Sequence, residues 1–183
     1  MGPMNYQQII DFWFSDRARA NWWRKDPAFD QEIRDRFEDT YSLAVAGGLA
    51  DWRETPDGRL AEIIVLDQFP RNMFRNQAAA FAHDDLAQRL SHEAVAACAD
   101  QELTPGQRAF LYMPLMHSET AADHEEAVRL FSSHPDLANN LRFEHKHKAI
   151  IDRFGRYPHR NEILGRASSP EELEFLSQPG SSF

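Results

Sequence analysis

The chain of 183 residues predicts an all-helical fold, a single domain of stacked helical hairpins spanning residues 1–183. Three observations carry that prediction. First, a capping residue is followed directly by proline at Asp26-Pro27, Thr55-Pro56, Thr104-Pro105 and Ser169-Pro170. A cap oxygen accepts from an orphan amide of the first turn, and proline at the first helical position sacrifices no useful donor. Second, apolar residues recur at threes and fours, as in Leu60, Ile63 and Ile64, with no sustained alternation or hairpin turn to signal strands. Third, "TPDGR" at Thr55 returns as "TPGQR" at Thr104, and "HDDLAQRL" at His83 as "HPDLANNL" at His134, offsets of about fifty residues that suggest a repeated helix pair.

The aromatic-rich start, with Phe12, Trp13, Phe14, Trp22 and Trp23, predicts a first helix packed on the core. Asp26-Pro27 then opens a second helix. Thr55-Pro56 opens a third, with a late proline at Pro70, and Thr104-Pro105 opens the matching helix of the next unit, with Pro114 near its end. Interior proline removes one backbone hydrogen bond and crowds the preceding turn, so each is expected to kink or end its helix. A further helix carries His147, Ile150, Ile151 and Phe154 on one stripe, and Gly155 with Pro158 mark its stop. Ser169 and Glu172 complete a capping box for the last helix, as Thr104 and Gln107 do earlier.

Composition narrows the function. A formal charge of -9 repels nucleic-acid backbones over most of the surface, so no nucleic-acid partner is expected and any anion site must be local. No apolar run is long enough to span a bilayer, and "MGPMNYQQ" has no secretory pattern, which leaves a cytoplasmic protein as the expectation. The single cysteine, Cys98, can form no internal disulfide. Six of the eight histidines lie between His117 and His159, but no HExxH occurs and His145 and His147 point apart on a helix, so neither metal nor cofactor is expected. Walker and dinucleotide-binding glycine patterns are also missing from the sequence. Nothing in the residues bears on chain pairing.

Chemistry concentrates at three inward-facing groups. Asp67 lies on the apolar face with Leu60 and Ile64; His117 follows Phe110 and Met113; His147 shares its stripe with Ile150 and Ile151. Buried charges need partners, and Arg71, Glu119 and Arg153 are nearest in sequence. Stacking of the two units would bring Asp67, Gln68, Arg71 and Asn72 beside His117 and Glu119. "RFGRYPHRN", residues 153–161, would close that groove with Arg153, Arg156, His159, Arg160 and Asn161. Forked guanidinium groups there suit a carboxylate or phosphate, although the same arginines could equally tie a turn to acidic helices.

The motifs "DFWF", "WWRKDPAFD", "DQFPRN", "MPLMHSE", "RFGRYPHRN", "ILGRAS" and "PGSSF" together resemble the bacterial domain of unknown function 924 family over roughly Tyr6 to Phe183. The resemblance implies a fold of the tetratricopeptide-like helical superfamily and no activity. Its signature positions fall on Asp67, Gln68, Pro70, Arg71, Asn72, His117, Ser118, Glu119, His147, Arg153, Gly155, Arg156, Pro158, His159, Arg160 and Asn161. Tyr157 stands where phenylalanine is usual. Two functions remain open. One is a binding module for an acidic peptide or small anionic ligand. The other is a hydrolase or lyase on a small anionic metabolite, with His117 or Asp67 as general acid/base and Glu119 beside them.

Overall fold

A computed structural model describes residues 4–183; the first three, part of the stretch read for a secretory pattern, lie outside the described residues. Ten helices follow in order among the described residues: α1 (Tyr6–Trp13), α2 (Asp16–Arg19), α3 (Pro27–Val45), α4 (Pro56–Met73), α5 (Asp84–Ala96), α6 (Pro105–Met116), α7 (Ala121–Phe131), α8 (Ala138–Phe154), α9 (Asn161–Leu164) and α10 (Pro170–Leu176). Short 3-10 turns join several of them. Among the described residues there is no strand, and no helix is long and apolar enough to cross a membrane.

The predicted starts are built as expected. Asp26 accepts from the amides of Ala28 and Phe29, Thr55 from Gly58, and both Thr104 and Ser169 sit in reciprocal capping boxes. Asn5 and Gln8 form a further box at α1. Pro70 and Pro114 do not end their helices: α4 continues to Met73 and α6 to Met116. The lost bond in each case falls within the last turn, where the Phe74 amide still reaches the Pro70 carbonyl at 2.8 Å.

Helices α1, α4, α6 and α8 lie side by side in succession, and α3, α5 and α7 pack between and over them, an arrangement compatible with tetratricopeptide-like stacking. "TPDGR" and "TPGQR" therefore open equivalent, neighbouring helices. The second echo does not mark equivalents: His83 precedes α5, whereas His134 precedes a 3-10 turn and α8, because α7 intervenes. The main core runs from Ile9 to Leu137 and is rich in rings, among them Trp13, Phe37, Phe69 and Phe110, with Phe37 and Phe69 stacked at 4.8 Å. A second, small cluster of Ile150, Ile151 and Tyr157 stands apart, flanked by Phe154 and Phe175.

Candidate functional site

Helix α6 ends at His117, and its closing carbonyls need donors. Tyr157 supplies its hydroxyl to the Met116 oxygen, Arg160 donates Nη2 to the His117 oxygen at 3.0 Å, and His124 Nε2 lies 2.7 Å from the Ser118 oxygen. The arginine-rich turn thus fastens the end of α6. Its backbone is pinned in return, with the Tyr157 amide donating to Glu119 Oε1 at 2.8 Å.

Beside this cap lies the pair expected from the two stacked helices. Nδ1 of His117 is 2.8 Å from Oδ1 of Asp67, which is fully buried on α4. A carboxylate only accepts, so His117 donates its Nδ1 hydrogen and leaves Nε2 with a lone pair. Among the described residues no hydrogen bond engages that Nε2, and the side chain keeps 12% of its surface exposed. Gln68 fixes the other Asp67 oxygen at 2.8 Å. Burial pushes the Asp67 carboxyl up, but His117 and Arg71 outweigh it and hold the group below its usual range. His117 is pushed down, by burial first and then by the Arg71 charge, so it is a neutral base at pH 7.

Arg71 donates to the Asp67 backbone oxygen at 2.7 Å and grips both oxygens of Asp84 at 2.9 Å. Asp84 also lies 3.7 Å from Arg160. The Arg160 guanidinium sits between the Phe81 ring at 4.5 Å and the Tyr157 ring at 4.7 Å, a favourable setting for a delocalised cation. Its Nε is buried without a partner, as is Nδ1 of the adjoining His159. Each such atom is a buried polar group that the surrounding side chains do not satisfy.

His147 and His159 both pack on Tyr157, at 5.9 and 5.8 Å between ring centroids. Burial pushes His147 down to about 3 and His159 down to about 4, so both are neutral at pH 7. His147 Nδ1 bonds its own helix at the Phe143 oxygen, 2.8 Å away, and among the described residues its Nε2 has no hydrogen-bond partner. His124 is closed by comparison: Nδ1 meets Glu144 at 2.6 Å and Nε2 meets the Ser118 oxygen, so both ring nitrogens of this fully buried side chain are engaged.

Asp67, Gln68, Arg71, His117 and Arg160 therefore converge, with His147 and His159 adjoining through Tyr157. The remaining expected positions do not join them. Asn72 turns to Asp30 of α3 at 2.8 Å. Glu119, expected as an acid/base group, has both oxygens held by Arg166 at 2.8 and 2.9 Å, because the chain returns over it after α9. Arg156 grips Glu172 at 3.0 and 2.8 Å, Asn161 donates to the same carboxylate at 3.0 Å, and Arg153 lies exposed over the Phe154 ring. Clefts of about 290 and 490 Å³ run along α3, and neither is lined by Asp67 or His117. Sequence reading missed Asp84 and Phe81. An aspartate opening a helix reads as an ordinary first-turn acid, and only the later Arg160 reveals its second role. Among the described residues no three His, Cys, Asp or Glu side chains group to hold a metal ion.

A profile described as "Bacterial protein of unknown function (DUF924)" matches residues 9–180. No curated protein matches the chain. Among solved structures, a protein of unknown function, ATU0120 from Agrobacterium tumefaciens, is similar at 38% identity with a TM-score of 0.87, covering 93% of this chain and 96% of that one.

Proposed function

We propose that this chain, which belongs to the DUF924 family of bacterial proteins of unknown function, is a proton-transfer enzyme of the hydrolase or lyase type acting on a small anionic metabolite. One observation carries the reading: His117 is oriented by buried Asp67 through Nδ1 and keeps Nε2 unbonded. A neutral imidazole held in one tautomer by a carboxylate is a general base ready to act. Arg160, with its unpaired Nε, is the cation that would meet the anionic group, and Arg71 adds its field while remaining bound to Asp84. The same reading has the chain acting in the cytoplasm.

Binding without reaction is the second reading, and the unpartnered Arg160 Nε and His159 Nδ1 favour it, since the first asks for an acceptor and the second for a hydrogen-bonding group whether or not a bond is broken. An acidic peptide is less well supported than a small anion, because Arg156 is consumed by Glu172 and Arg153 stands apart over Phe154.

The test is a thermal-shift and imidazole-NMR titration with inorganic phosphate, acetate and malonate. At least one probe should raise the melting midpoint and move the His117 resonances, and His117→Asn should lower turnover of any responsive substrate by about 10²–10⁴-fold. A His117 tautomer protonated at Nε2 would overturn the base assignment. Ligand shifts that survive with no His117-dependent turnover would leave the binding reading.

A further inference from the structure

Residues 180–183 form a short strap over the aromatic side chains that adjoin the His117 site. Gly180 turns the chain with φ +77°, a left-handed conformation that side chains resist. Ser181 is buried and donates to the Leu176 oxygen at 3.2 Å. Phe183 then lies across three rings, 3.8 Å from His147, 4.4 Å from His159 and 5.0 Å from Tyr157. It nevertheless keeps 54% of its surface exposed. The ring thus covers polar aromatic side chains from outside and is not locked into a core.

Those covered rings adjoin the base. His147 and His117 are near enough for the charge of one to act on the other, and Tyr157 touches both His147 and the Arg160 that caps the His117 carbonyl. Neutral imidazoles can pack against a phenyl ring without burying a charge, so the cover is compatible with the site at rest.

We propose that residues 180–183 form a removable wall of the His117 site, with Phe183 as the residue that must swing off His147 and His159 before a ligand reaches the base. Among the described residues one side-chain hydrogen bond holds the strap, at Ser181, and Gly180 supplies the turn on which it moves. A half-exposed ring with so few ties opens at a small fraction of the cost of unfolding the domain. Phe183 thereby also limits the size of what enters: a small anion needs a brief displacement, and a bulky one must hold the strap away.

The inference rests on the His117 reading for what the wall encloses, but its test needs neither ligand nor turnover. Diethyl pyrocarbonate acylates accessible neutral imidazoles, and peptide mass spectrometry reads each histidine separately. In Phe183→Ala the modification of His147 and His117 should rise by about tenfold over the parent chain, while fully buried His124 stays unmodified as the internal report on folding. Gly180→Ala, which strains the turn, should raise the same two rates. Parent-like rates at His147 and His117 in Phe183→Ala, with His124 protected, would overturn the wall. Accelerated rates together with no response of the parent chain to any anion would overturn the proposed function and leave the wall standing.

Discussion

Asp67 and His117 stand fifty positions apart in sequence and 2.8 Å apart in space, the carboxylate buried on α4 and the imidazole at the end of α6. The contact exists because two proline-capped helices of similar sequence lie side by side. Each contributes one polar group at its far end, where the apolar stripe gives way.

Asp67→Asn should separate the electrostatic role of that contact from its packing. The attraction and hydrogen bond of Asp67 both raise the His117 pKa against burial and Arg71, so their loss should lower the imidazole's titration midpoint further. Stability should fall by about 1–3 kcal/mol, since the amide cannot accept at both positions while Arg71 keeps Asp84. NMR titration and urea unfolding measure the two effects. A higher His117 midpoint in the variant would contradict the arrangement.

Acid should destabilise the fold well above the carboxylate range. His147 is held neutral down to about 3 and His159 down to about 4, against 6.5 for an ordinary histidine, in both cases through burial. Above pH 6.5 their contribution is complete. As pH falls below 6.5 the unfolded chain takes up protons that the folded chain refuses, so stability drops, by at most about 1.4 kcal/mol per pH unit for each group. Both groups act down to about pH 4 and His147 alone below that. Urea unfolding at pH 7, 6 and 5 should show the slope, and His147→Gln should make it shallower.

Gly58 and Gly106 should respond in opposite ways to alanine. A Cβ at Gly58 would lie 1.9 Å from the Trp52 carbonyl oxygen, a backbone atom with no room to yield, whereas nothing lies within 4 Å at Gly106. Gly58→Ala should cost about 3 kcal/mol, lowering Tm by about 6–12 °C. Gly106→Ala should leave Tm unchanged or raise it through helix propensity. Calorimetry on the two variants checks this, and equal behaviour would mean that Trp52 does not sit over α4.

Local rules made the helices legible. Asp26, Thr55, Thr104 and Ser169 act within three residues of themselves, so their caps could be read without the fold. Asp67 and His117 could be paired because one repeat relates their helices. Glu119, Arg156 and Asn161 could not be assigned partners, because Arg166 and Glu172 reach them only through the path of the chain after α8. Tyr157 reads as a small departure in an aromatic position, yet its hydroxyl closes the Met116 carbonyl, a bond that phenylalanine could not make. The repeat also misled at His134, since similar words opened helices of different layers.

The small cluster around Ile150, Ile151 and Tyr157 does not merge with the main core. The stretch from Tyr157 to α10 is held on by guanidinium–carboxylate clasps and by donors to the end of α6, with modest apolar burial. Such fastenings weaken in salt while a greasy interior does not. That terminal lobe is consequently set to detach as a unit ahead of the rest, and its departure would uncover the α6 terminus and dismantle the surroundings of His117 while the body of the protein stayed folded.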